Sequence, residues 1–181
     1  MFVAQELRKK NIAEYLLYMW QIEDTIRAFG CSLSRLRDEY VSRFEYSPEQ
    51  QEEELDWLGN LLRMMNEEGR REKGHLQINN ATLQLLTDLH VQLLESTKYP
   101  FYNAQYYRVL PYIVELRNKK GTHKDEGEVE TCLNLLYGIL MLRLQKRELS
   151  PQTQAAAEQV SQFVRMLAEY YHKDKESPLE F

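Results

Sequence analysis

The sequence predicts an all-α protein, a single compact bundle of six or seven helices with short connections. Three observations lead there. Apolar residues recur at three- and four-residue spacing along most of the 181 residues, the period of a helix with one buried face. No β-branched run alternates with polar residues between Asn-Gly or Asp-Gly turns, the mark of hairpins. Seven glycines and five prolines leave little room for long loops.

Taken in order, the first helix carries Ile12, Tyr15, Met19, Ile22, Ile26 and Phe29 at 3-4-3-4-3 spacing. Its stretch YLLYMW, residues 15–20, is apolar in nearly every direction, and Glu23 and Asp24 follow closely. A helix apolar all round is enclosed by other helices or by a second subunit. The two acids are expected at the polar rim, paired with a cation or a tyrosine hydroxyl. Gly30 is the stop, and a shorter helix runs through Leu33, Leu36, Tyr40 and Phe44.

Ser47-Pro48-Glu49-Gln50 reads as a capping box with proline in the first turn. Leu55, Leu58, Leu62 and Met65 mark the face of that helix, and NEEGRREKGH, 66–75, its solvated end. Asn79 or Asn80 is expected to cap the next helix, with Leu83, Leu86, His90 and Leu93 in line. Pro100 opens a helix rich in tyrosine (Tyr102, Tyr106, Tyr107, Tyr112), which Pro111 should kink. After the loop GTHKDEG, 121–127, a helix striped by Leu133, Leu136, Leu140 and Leu144 is expected to be the most buried. Ser150-Pro151 starts the last helix, with Ala156, Val160, Phe163, Leu167 and Tyr170 facing inward. The domain spans residues 1–175, and 176–181 should fray.

Composition narrows the function classes. A net charge of −5 disfavours broad binding to nucleic acid or anionic membranes. The longest apolar run, LLYGILML at 135–142, is far short of the roughly 20 residues a membrane span needs. The N-terminus has no apolar core of a signal peptide. Cys31 and Cys132 make no motif. A reduced, cytoplasmic chain is the simple reading of them, and one disulfide the other. No phosphate-binding glycine loop and no Gly-x-Ser-x-Gly elbow occurs.

Di-metal bundles need Glu-x-x-His on two helices. Glu72 to His75 has this spacing, but in a stretch broken by Gly69 and Gly74, while Asp88 and His90 point to different faces. No metal and no cofactor is expected, and His90 reads as a satisfied core histidine. The tyrosine-rich helix reads as packing rather than as a stacking platform.

Two stretches resemble known families. KNIAEYLLYMWQIEDTIRA, 10–28, resembles the start of an uncharacterised bacterial all-helical family, domain of unknown function 4924. That resemblance covers most of the chain, implies a compact helical protein and brings no catalytic residues. LRNKKGTHK, 116–124, resembles the Arg-Asn-(x)-His signature of HEPN ribonucleases and nucleotide-binding bundles. It implies metal-independent chemistry. His123 would act as general acid or base on the RNA 2′-OH, Arg117 would stabilise phosphate charge, and Asn118 completes the signature. Lys119, Lys120 and Lys124 would contact phosphate. The competing reading is a solvated connector, with Gly121 as the cap and cations opposing the helix dipole.

The leading expectation is a non-catalytic protein-interaction module that forms a homodimer through the apolar excess of the first helix. The alternative is a HEPN-like RNA-binding or RNA-cleaving bundle using Arg117, Asn118 and His123.

Overall fold

The computed structural model describes residues 1–120 and 126–181, apart from the side chains of residues 119 and 120. Among the described residues every regular element is helical. The helices are α1 (Phe2–Lys10), α2 (Ile12–Ala28), α3 (Leu33–Arg35), α4 (Pro48–Glu67), α5 (Gln77–Glu95), α6 (Pro100–Lys120), α7 (Glu128–Leu144) and α8 (Pro151–Glu176). That is more than the six or seven expected, and Asn11 is one cause. Its Oδ1 accepts from the Ala13 N–H at 3.1 Å. His172 Nε2 accepts from the Ile12 N–H at 3.2 Å. With two free N–H groups of a helix start satisfied, a new helix begins there. The stretch expected as one short helix also divides, into α3, a π turn over Leu36–Tyr40 and a 3-10 turn over Val41–Arg43.

The caps follow local chemistry. Ser47 accepts from the Gln50 N–H, and the Gln50 side chain accepts from the Ser47 N–H, closing the capping box. Ser150 accepts from the Thr153 N–H at 3.2 Å ahead of Pro151. At the end of α2, the Cys31 N–H reaches the Ile26 carbonyl at 2.9 Å and the Gly30 N–H that of Arg27 at 2.8 Å. This paired motif needs a left-handed residue, and Gly30 supplies it with φ +68°. α7 ends the same way, but Lys146 holds the left-handed position, φ +56°. A lysine there carries a steric cost that glycine does not. Lys146→Gly is therefore expected to raise stability by about 0.5–1 kcal/mol, read as a higher urea midpoint, and a lower midpoint would contradict it.

α5 departs from the expected start. It begins at Gln77, so Asn79 and Asn80 lie inside its first turn, and the Asn79 side chain is buried. α6 runs without interruption through Pro111.

The residues group into two compact units. The first comprises Met1–Lys10 and Glu14–Ala81, the second Asn11–Ala13 and Thr82–Phe181. In the first, Met19, Ile22 and Ile26 of α2 pack with Leu36, Val41, Leu58, Leu61 and Met65. In α2 the buried positions Leu16, Met19, Trp20, Ile22, Glu23 and Ile26 cover roughly half of the circumference. Tyr15, Leu17 and Tyr18 are half-buried and Asp24 is exposed. The helix is thus not enclosed on all sides.

In the second unit α6, α7 and α8 pack on one another. Val160, Phe163 and Leu167 of α8 are buried as expected. α7 is not the most buried helix. Its inner face is Val129, Cys132, Leu133 and Ile139, while Leu136 and Leu140 are half-buried and Leu144 is 58% exposed. The expected stripe is rotated because leucines surround this helix, so leucine spacing alone could not select a face. At the C-terminus the Leu179 N–H donates to Asp174 at 2.9 Å, and the Tyr99 hydroxyl donates to the Glu180 carbonyl at 2.9 Å.

Candidate functional site

Glu23, expected at a rim, is wholly buried. Its Oε1 accepts from the Leu76 N–H at 2.9 Å and the Asn79 amide at 2.6 Å. Its Oε2 accepts from His75 Nδ1 at 2.6 Å, and the indole of Trp20 stacks on that imidazole at 4.3 Å. Leu76 immediately precedes α5, so the carboxylate sits where the helix presents free N–H groups and the positive end of its dipole. Chemically this is a fastening of the α5 start to α2, with every carboxylate oxygen occupied. Asp24 pairs instead with Arg27 at 2.7 Å on the surface.

The second unit holds a second polar cluster. The Tyr102 hydroxyl donates to His90 Nδ1 at 2.7 Å, while His90 Nε2–H donates to Glu128 at 3.3 Å. The Tyr106 hydroxyl donates to the other Glu128 oxygen at 3.1 Å. Phe163 lies against the rings of His90, Tyr102 and Tyr106. A neutral imidazole has one donor and one acceptor, and both are used here. His90 is the satisfied core histidine the sequence suggested.

Burial lowers the pKa of His90, with the hydrogen bond and charge of Glu128 opposing. The unfolded chain therefore binds this proton more readily than the folded one. The sign follows. Above the ordinary value of 6.5 the histidine is neutral in both states and costs nothing, and stability falls as pH drops through and below it. His90→Gln should flatten the loss of urea midpoint between about pH 7 and pH 5 relative to the native chain, and an unchanged slope would contradict this. Burial likewise pushes the Cys132 thiol up to about 12, with Glu128 adding to it, so this cysteine is no thiolate nucleophile near neutrality. Both cysteines are free.

The HEPN-like residues are placed only in part. Arg117 is half-buried on α6; its guanidinium donates to the Glu126 carbonyl and, at 3.4 Å, to the Thr131 hydroxyl. Asn118 is exposed. His123 and Lys124 lie outside the described residues, as do the side chains of Lys119 and Lys120. Through these two bonds Arg117 ties α6 to the start of α7. Among the described residues no group of three or more His, Cys, Asp or Glu is arranged to hold a metal ion.

The most conspicuous surface feature is on α6. Tyr102, Gln105, Val109 and Ile113 face inward and are buried. On the far side Ala104, Tyr107, Pro111, Val114 and Asn118 form an exposed strip. Tyr107 is 67% exposed, Val114 50%, and Phe101, one position past the helix start, 80%. Tyr107, Pro111 and Val114 line up along one side of α6, while Phe101 is exposed on another side, and an apolar line of this kind is a docking feature.

The family model described as "Domain of unknown function (DUF4924)" matches residues 1–178. The chain belongs to the DUF4924 family. No curated protein and no solved structure matches it.

In this member of the DUF4924 family, sequence reasoning missed two groupings. The Glu23–His75–Asn79 cluster had a visible half: Glu23 falls on the same helical face as Leu16 and Trp20. Its partners, some fifty residues on, had no such signal. For α6 the sequence suggests only that its tyrosines pack with their hydroxyls reaching water, because tyrosine spacing alone does not say which side of a helix is covered. No helix among the described residues is long and apolar enough to cross a membrane.

Proposed function

We propose that the protein is a non-catalytic interaction module that works through protein contacts and assembles as a homodimer. The supporting observation is the exposed strip of α6, with Tyr107, Pro111 and Val114 presented to solvent. Aromatic side chains on a rigid helix are the usual anchors of protein interfaces, since they bury much area at little entropic cost. The groups with catalytic potential favour this reading, because their polar atoms are already engaged. Both nitrogens of His90 and both oxygens of Glu23 are hydrogen-bonded within the protein. The Arg117 guanidinium is bound to Glu126 and Thr131.

The sequence placed the contact surface on the first helix. Leu16, Met19 and Trp20 of that helix are buried within the chain, so the warrant moves to α6. The double variant Tyr107→Ser with Val114→Ser tests the reading. These side chains are exposed, so helical circular dichroism should be unchanged and thermal stability within the small range of surface substitutions. The mass by light scattering should fall from two chains to one. A variant that keeps the two-chain mass would overturn the assignment of the surface.

A further inference from the structure

We propose that the slot bounded by α6, α7 and the first turns of α8 binds the alkyl chain of a single-chain amphiphile whose polar head carries no negative charge. The inference goes beyond the interaction reading and does not rest on the α6 strip. One recess, of about 390 Å³, is walled by Leu116, Leu135, Gly138, Ile139 and Leu142. A second, of about 290 Å³, continues from it, since Leu116, Leu135 and Thr153 line both. Together they have the size of a small-ligand site, roughly 300–1,000 Å³. That is room for one chain rather than for a two-chain lipid.

Gly138 marks where the chain lies. It stands inside α7, where glycine costs helix stability that alanine would keep. No described neighbour requires it: its backbone is not left-handed, and a methyl group there would meet no atom within 4 Å. The missing side chain instead leaves the backbone bare along the larger recess, where a ligand can approach closely.

The lining sets the chemistry. The polar side chains of the larger recess are engaged elsewhere. Thr131 Oγ1 donates to the Gly127 carbonyl at 2.9 Å and accepts from Arg117 at 3.4 Å. The Asn134 amide donates to Glu126 at 3.1 Å, and the Thr153 hydroxyl pairs with that of Ser150 at 2.9 Å. The remaining wall is aliphatic, with no ring on which an aromatic ligand could stack. Tyr112 and Gln152 bring a hydroxyl and an amide to the smaller recess, where the head would sit. No lysine, arginine or histidine lines either recess, so a carboxylate or phosphate head would be buried without a counter-charge.

Isothermal titration of the full chain with 1-decanol tests the proposal. One decanol per chain should bind saturably, and decanoate at least about tenfold more weakly. Gly138→Leu puts a side chain into the slot and should weaken decanol binding at least about tenfold, with helical circular dichroism unchanged and the urea midpoint no lower. Absence of saturable decanol binding, or binding to phosphatidylcholine vesicles alone, overturns the proposal. Decanol binding that Gly138→Leu leaves intact overturns the site, and decanoate binding as tightly overturns the head group. Should Gly138→Leu change the mass of the chain with no alcohol present, the slot is a protein contact and the proposal falls. If that variant does not fold, nuclear Overhauser contacts in the native chain decide. Decanol methylenes should reach the methyl groups of Leu135 and Leu142, and contacts confined to other residues contradict the site.

Discussion

Glu23→Ala is expected to lower stability by about 3–5 kcal/mol, the range for breaking a buried charged hydrogen-bond cluster from one side. The Glu23 side chain is fully buried, and its removal leaves three donors without an acceptor: the Leu76 N–H, the Asn79 amide and His75 Nδ1–H. Each was bonded to a carboxylate, the stronger class of hydrogen bond. The site lies where α5 begins, so the loss should show first as fraying of its opening turn. Glu23→Gln keeps the volume and one acceptor oxygen and should cost less. Trp20 stacks on His75, so tryptophan fluorescence during urea unfolding reports on the cluster itself. A loss under about 1 kcal/mol for Glu23→Ala would mean that the carboxylate does not hold the α5 start.

Phe163→Ala should cost a similar amount, about 3–5 kcal/mol, for a different reason. Phe163 is fully buried on α8, with its ring 5.6 Å from that of His90, 5.5 Å from Tyr102 and 6.1 Å from Tyr106. Deleting the ring removes apolar burial and leaves a cavity beside a hydrogen-bonded network that cannot collapse without breaking. Phe163→Leu fills most of that space and should cost under about 2 kcal/mol. An alanine variant as stable as the native chain would show that the surroundings close over the site.

The parts of the fold that were legible in the sequence are those that local chemistry decides. Ser47 through Gln50 specify a helix start with side chains three residues apart, and Ser150-Pro151 does the same for α8. Gly30 is one residue whose left-handed φ a helix end requires. The stripe of α8 was readable because its polar residues occupy the opposite face. α7 was not, since its leucines point in most directions and only the neighbouring helices choose among them. Asn11 was missed because its capping role depends partly on His172, distant in sequence.

The polar sites follow the same division. That Glu23 shares a face with Leu16 and Trp20 is a matter of helical spacing. That it bonds to His75, Leu76 and Asn79 instead of lying at a rim is a matter of tertiary packing. Arg117 followed a sequence signature, yet its guanidinium is engaged by the Glu126 carbonyl and by Thr131, contacts that depend on how α7 returns toward α6.

The α6 strip carries the functional reading, and the mass of the unmodified chain tests it most directly. Light scattering at micromolar concentration is expected to give twice the 21.7 kDa of one chain. A mass of one chain, unchanged as the concentration rises, would contradict the interaction reading.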